Sequence, residues 1–421
     1  MQRVMAKQIL GLVFLAFILV LVLGVIFVSH ANAQGFLLSS RFDDDWDWDW
    51  DDDRWDNRRD FVVRYNRVEG LFLGAHLNRD YYRHRRPTRA FLYGSAGYAF
   101  KAKEMEYQIG LEKGFMDRFR LAFGAEYHRF IDTQDRWIIS DSENSLAAVL
   151  IREDFHDFYL RDGASGYLVQ NFGRNSSITV GYHVDSYDSL AKNTNWSLFG
   201  GSKNFRDNPA MDSGNMRSII SGLVFDTRNS MRRTTRGWFV QAEYEHAGGG
   251  LGGDFEFDRL VFDLRRYQSL GLGEGLDFRL RVGTSKGILP WQRSYHLGGI
   301  STLRGFPYKA YPNGRMNPGG NRMLLAQVEY RMGTQDLPDE LDLGLLELFN
   351  LIIFADAGWV ADVGGEADLF DGFDGLTWND LKSDIGIALA NSSGTVRVQI
   401  ARRTDTGHKP FTFSFRVQRP F

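Results

Sequence analysis

Arg304 is the side chain with the most chemistry to offer. It stands in Leu303-Arg304-Gly305-Phe306, inside a stretch from 286 to 320 that also carries the adjacent pair Gly298-Gly299. A connection of about 35 residues without periodicity is too long to be mere linkage in a compact domain, so it is expected to pack somewhere. Its glycines leave the backbone open enough to fold back on the body of the protein. A guanidinium carried indoors by such a loop needs a carboxylate in forked geometry. Parity supplies one: between 349 and 360, Leu351, Ile353, Ala355, Ala357 and Trp359 share one face, and Ile352, Phe354, Asp356 and Gly358 share the other. The first set reads as the outer face, which turns Asp356 inward, toward Arg304. The expected role of the pair is to fix the loop's position more than to add net stability.

Other chemistry is absent or weak. No G-x-S-x-G elbow is present. His183, Asp185 and Ser186 stand close together, but His183 and Asp185 are two apart on one strand face, which suits an ordinary ion pair better than a relay. The nine histidines show no zinc spacing, and zero cysteines exclude thiolate metal sites and disulfides. No enzyme, cofactor or metal centre is expected. A net charge of -3 gives no reason to expect nucleic acid.

The elements that must carry Arg304 and Asp356 are strands. From Phe61 onward the hydrophobic period is two. Met105, Tyr107, Ile109 and Leu111 oppose Glu106, Gln108 and Glu112; Phe278, Leu280 and Val282 oppose Asp277, Arg279 and Arg281; Val396, Val398 and Ile400 oppose Arg397 and Gln399. Phe411, Phe413, Phe415, Val417 and Phe421 share one parity at the C-terminus. Paired apolar and charged faces suit either a sandwich or a membrane barrel with a wet interior. Runs of roughly 9 to 14 residues favour the barrel, because a tilted strand needs about 9 to 11 to cross the hydrocarbon. Fifteen runs are countable, the first near 61–75 and the last near 411–421. Bacterial single-chain barrels have even strand numbers, so a sixteenth is expected between Trp137 and Leu160, where Ser145 to Arg152 also has a helical stripe. The expectation is an all-β fold: a 16-stranded antiparallel transmembrane β-barrel with an extracellular loop folded into the lumen. The long connections, 132–163, 189–216, 286–320 and 361–382, are expected on the extracellular side.

Ahead of the strands, Arg3 and Lys7 precede an apolar run from 9 to 28, and Ala31-Asn32-Ala33 is a small-x-small cleavage signal. Residues 1–33 read as a signal peptide, with an uncleaved anchor as the competing reading. Residues 34–60 hold nine aspartates between 43 and 56, interleaved with Trp46, Trp48 and Trp50. Self-repulsion is expected to keep this periplasmic segment extended and disordered. Residues 61–421 are expected to form an outer-membrane barrel.

The chain resembles the BamA/TamA-like bacterial surface antigen superfamily of outer-membrane barrels. Leu303-Arg304-Gly305-Phe306 is similar to its (V/L)RGF loop motif, and Phe354-Ala355-Asp356-Ala357-Gly358 to its FxDxG strand motif. Phe225-Asp226-Thr227-Arg228 with Arg236-Gly237 looks like its DTR…RG hairpin, and 383–389 is similar to its antepenultimate strand. Phe411, Phe413, Phe415 and the terminal Phe421 look like its C-terminal assembly signal. The resemblance implies a barrel for protein or lipid assembly and export, with outer-membrane lipid as surroundings and the outer-membrane assembly machinery as partner during biogenesis. Relatives that insert or export proteins carry periplasmic POTRA modules before the barrel. Here residues 34–60 stand in their place, so a short member lacking POTRA domains is expected, with that segment as a docking site for a separate periplasmic protein. Read from residues alone, a gated channel for small solutes lined by Arg279, Arg281, Arg397, Glu243 and Glu245 stays open as the alternative.

Overall fold

A computed structural model of the protein describes residues 59–77, 89–115, 120–172, 175–230, 234–271, 273–333, 349–391, 394, 396–405, 411–417, 419 and 421. The expected signal peptide and nearly all of the acidic segment lie outside the described residues. Sixteen strands form one antiparallel sheet in which every strand pairs with its neighbours in sequence. They are β1 Arg59–Asn66, β2 Gly70–Leu77, β3 Ala90–Ala99, β4 Glu104–Phe115, β5 Leu121–Thr133, β6 Phe158–Phe172, β7 Ser176–Ser189 and β8 Gly214–Asp226. The second half continues with β9 Gly237–Ala247, β10 Phe257–Ser269, β11 Gly275–Gly287, β12 Arg322–Gly333, β13 Asn350–Ala361, β14 Lys382–Ala390, β15 Arg397–Arg403 and β16 Thr412–Arg416. One α-helix, α1 (Asp141–Ile151), lies among the described residues, in the connection between β5 and β6.

The count of sixteen stands, but the extra strand is not where the sequence suggested. The run near 61–75 is two strands, β1 and β2, joined by a turn in which the Asn66 side chain accepts hydrogen bonds from the N–H groups of Val68 and Glu69. The parity of hydrophobics passes through that turn almost unbroken, which hides it. The interval from 137 to 160 holds α1 instead. Ser140 caps its N-terminus by accepting from Glu143 N–H, and Asp141 and Glu143 place negative charge at the positive end of the helix dipole.

The sheet is inside-out relative to a soluble protein. The largest fully buried side chains include Arg67, Arg279, Arg304, Arg322, Arg397 and Arg416, while Phe61 (83%), Ile109, Leu111 and Phe413 (72%) are exposed. Water would penalise the second set and an apolar interior the first, so the apolar face belongs against lipid and the charges belong in the barrel interior. Buried inner charges find ion-pair or hydrogen-bond partners, as burial requires; Arg322, for one, is held by the carbonyls of Ser285, Asp368 and Asp371. Asp263 on β10 receives Arg279 at 2.5 Å, Arg281 at 2.7 Å and Arg265 at 3.0 Å. The connections after β5, β7, β11 and β13 are long and share one end of the barrel. Among the described residues, no ladder joins β1 to β16.

The C-terminus departs from the sequence reading. β16 ends at Arg416, and the chain then turns inward: Arg419 reaches Asp277 on β11 at 2.6 Å and the carbonyl of Thr234 at 3.0 Å. Phe421 is consequently buried and does not share the outward face of Phe411 and Phe413.

Candidate functional site

The connection between β11 and β12, residues 288–321, packs against the inner faces of strands from both halves of the sheet. Arg293 bonds Glu245 on β9 at 2.9 Å and the Tyr187 hydroxyl on β7 at 3.1 Å. Lys309 pairs with Asp157 and Asp135, at 2.7 and 2.6 Å, in the β5–β6 connection. On the other side, Ser301 bonds Arg416 on β16, the Ile300 carbonyl accepts from Gln399 on β15, and the Gly305 carbonyl accepts from Thr412 on β16. Tyr295, Leu297, Leu303 and Phe306 form an apolar cluster with Val261, Met323 and Leu325 on the inner wall. That cluster offsets the entropy of ordering so long a loop.

Arg304 sits at the centre of this loop and is 1% exposed. Its Nε and Nη2 donate to the two oxygens of Asp356 at 2.7 Å each, and its backbone N–H donates to Asp356 Oδ2 at 3.2 Å. Its Nη1 donates to Glu329 on β12, which also receives Arg397 at 2.9 Å. The guanidinium plane lies over the Phe354 ring, 3.6 Å from its centre. Planarity lets one group serve two carboxylates and stack on a ring, which an ammonium cannot do. Gln327 completes the site, donating to Asp356 Oδ1 and to the Thr302 carbonyl at 3.0 Å each.

The glycines are explained by approach distance. A Cβ on Gly305 would stand 2.7 Å from the Cβ of Asp384 and 3.1 Å from the backbone nitrogen of Arg403, so the loop lies directly on β14 and β15. Gly305 N–H donates to Asp384 Oδ2 at 2.9 Å, and Asp384 is directly opposite Asp356 across the β13–β14 ladder. A Cβ on Gly358 would meet Leu297 and Leu303 at 2.7 and 3.3 Å, so this strand glycine makes room for the loop's leucines. Phe306 is buried beneath Arg403, whose guanidinium stands 4.2 Å from the ring centre, and meets Tyr311 edge-on.

The structure therefore gathers Leu303, Arg304, Gly305, Phe306, Phe354, Asp356 and Gly358 at one place. Phe411, Phe413, Phe415 and Phe421 are elsewhere, the first two on the outer surface beside the last strand. Sequence reasoning missed Glu329, Gln327 and Asp384. Their signal was available: Gln327 and Glu329 are polar at inner parity among Leu324, Ala326, Val328 and Tyr330, and Asp384 opens an otherwise apolar run. His183 and Asp185 form no relay. Asp185 is taken by Arg161 at 2.8 Å and His128 at 3.0 Å.

Comparison with known proteins shows the family of the chain. Over 291 residues the chain is 25% identical to the outer membrane protein assembly factor BamA of Nitratidesulfovibrio vulgaris, an overlap that covers 66% of this chain and 33% of that protein. The matched stretch is thus about a third of the relative's length. The crystal structure of BamA from Haemophilus ducreyi lacking POTRA domains 1–3 superposes with a TM-score of 0.52 at 14% identity, over 85% of this chain and 69% of that one, a likeness of fold. Residues 104–417 match the Omp85 superfamily domain, and the chain belongs to that superfamily.

Proposed function

We propose that this bacterial outer-membrane barrel assembles or exports other proteins at the seam between β1 and β16, with the 288–321 loop holding the lumen shut and Arg304 locking that loop to Asp356 and Glu329. The observation that carries the reading is the combination of a filled interior with unjoined edges. Buried arginines, tyrosines and leucines of the loop occupy the space a solute would need, while among the described residues no ladder joins β1 to β16, and an open strand edge can accept an added strand. A superfamily of assembly and secretion barrels is where such an edge has a use. A small-solute channel needs the opposite arrangement, a lumen clear along its length.

The test uses the full chain reconstituted into phospholipid vesicles, to which a urea-denatured eight-stranded outer-membrane barrel is added. Folding of the added barrel, followed by its unheated gel shift, is expected to be at least tenfold faster than in protein-free vesicles. Planar-bilayer recordings of the same preparation are expected to show no large stable pore. Unaccelerated folding together with a steady open conductance would overturn the proposal in favour of the channel.

A further inference from the structure

At the seam, the wall of the barrel is not made of strands alone. Among the described residues, β1 and β2 run 8 residues each, against the about 9 to 11 that cross the hydrocarbon. α1 stands in the gap. Its first turn faces inward, where Glu143 receives Arg416 Nε and Nη2 at 2.8 and 2.9 Å and the Val417 N–H at 2.8 Å. Its second turn meets the free edge of β1, where Tyr65 N–H donates to Ser145 Oγ at 3.1 Å. Its remaining residues reach the outer face. Tyr65 shares that face with Leu71, its exposed partner on β2, yet is only 9% exposed, because Ala148 of α1 and Phe205 cover it and Trp196 meets its ring edge-on. The helix thus threads from lumen to outer surface between the two end strands.

What emerges outside is apolar. The second half of α1 reads Leu146-Ala147-Ala148-Val149-Leu150-Ile151, and only Ala148 is buried. A helical segment with no polar residue on any side is normally enclosed by protein or by lipid. Its last carbonyls are satisfied by the β7–β8 connection: Leu198 N–H donates to Val149 O at 2.7 Å and Phe199 N–H to Leu150 O at 2.9 Å. Ile151, Trp196, Leu198 and Phe199 (71%) are all exposed. They extend the outward apolar face of Phe61, Val63, Leu71 and Leu73 beyond the end of β1. The patch stops abruptly at Arg152, Glu153 and Lys203, where Arg152 folds back to Ser197 Oγ at 3.1 Å and Lys203 pairs with Glu153. Tied backbone, apolar surface and a charged upper rim are the requirements of a segment in the hydrocarbon with its border at the headgroups.

We propose that α1 and residues 196–199 complete the barrel wall at the seam, and that their outer face is in contact with the acyl chains of the surrounding lipid. The end strands are then separated by a loop-borne helix that the bilayer itself helps to seat.

The absence of cysteine makes the test direct. Single variants Phe199→Cys and Ile151→Cys of the full chain, with Phe61→Cys as a lipid-facing reference and Trp378→Cys (88% exposed, in the β13–β14 connection) as a water-facing one, are labelled with bimane. Each is reconstituted into phosphatidylcholine vesicles containing acyl-chain nitroxide lipid. Nitroxide quenching at 199 and 151 is expected to reach at least half that at 61, with iodide quenching less than a third of that at 378. All four sites replace exposed side chains, so folding is preserved, and each labelled protein is checked by its unheated gel shift. Iodide quenching at 199 and 151 equal to that at 378, without nitroxide quenching, would overturn the proposal.

Discussion

Arg304 shows how a single residue type is dictated by its surroundings. Two carboxylates, one ring face and zero access to water call for a flat, permanently charged group. Removing one partner of a buried pair leaves the other charge stranded, an effect of about 3–5 kcal/mol. Arg304→Ala is expected to undock the loop by that amount. Arg304→Lys keeps the charge but loses the fork and the stacking, and is expected to weaken docking by about 2 kcal/mol. Hydrogen exchange at the amides of residues 303–306 measures it: roughly thirtyfold faster opening in the lysine variant. Unchanged exchange in both variants would remove Arg304 from the role of lock.

Among the elements, α1 has the most to explain, since an eleven-residue helix holds both ends of a sixteen-stranded sheet. Its grip on β16 is electrostatic, through Glu143, and its grip on β1 is one hydrogen bond plus the packing of Ala148 on Tyr65. Glu143→Gln keeps the shape and removes the charge opposite Arg416. The amides of Val417 and Tyr65 are then expected to lose protection together, by tenfold or more, while those of β6 and β7 stay as they were. Loss at Val417 alone would mean that the helix stays seated on β1 without its inner anchor, and the idea of one clasp for both edges would fail.

At the scale of the whole molecule, the loop is held by buried groups, so its docking should respond to protons more than to salt. His296 is buried in the loop with its Nε2 3.1 Å from the Asn317 carbonyl, and Lys309, Asp157 and Asp135 are the nearby charges. Burial, and then Lys309, lower its pKa from an ordinary 6.5 to about 4. An unfolded or undocked loop therefore binds the proton more readily than the docked one. His296 contributes docking stability fully above pH 6.5 and loses it as pH falls toward 4, by about 3 kcal/mol in all. At pH 5 the loop is expected to open roughly twentyfold more often than at neutral pH, read as amide exchange at residues 303–306 corrected for the intrinsic rate at each pH, and His296→Gln is expected to flatten that dependence. A variant as acid-sensitive as the parent would assign the effect to the carboxylates instead.

The inner and outer faces of the strands and the inward turn of Asp356 toward the loop were legible in the sequence because each rests on parity, and parity is local; the number sixteen rests on fifteen countable runs and the even-number rule, which do not say where the extra strand lies. A strand's side chains alternate whatever lies around them, so Phe354, Asp356 and Gly358 declare one face without knowledge of the fold. What sequence could not decide involves groups far apart along the chain. The turn at Asn66 was masked because hydrophobic alternation runs through it, and α1 was ambiguous because its apolar half serves the outside of the wall and not a core. Phe421 left its expected face because Asp277, some 140 residues earlier, captures Arg419. Glu329 and Asp384 joined the site through neighbouring strands whose register only the assembled sheet fixes. Sequence by itself determined the strands and their two faces; the tertiary structure alone decided where the loop lands, what separates the end strands, and which charges meet, because those depend on long-range pairing of groups that burial forbids to remain alone.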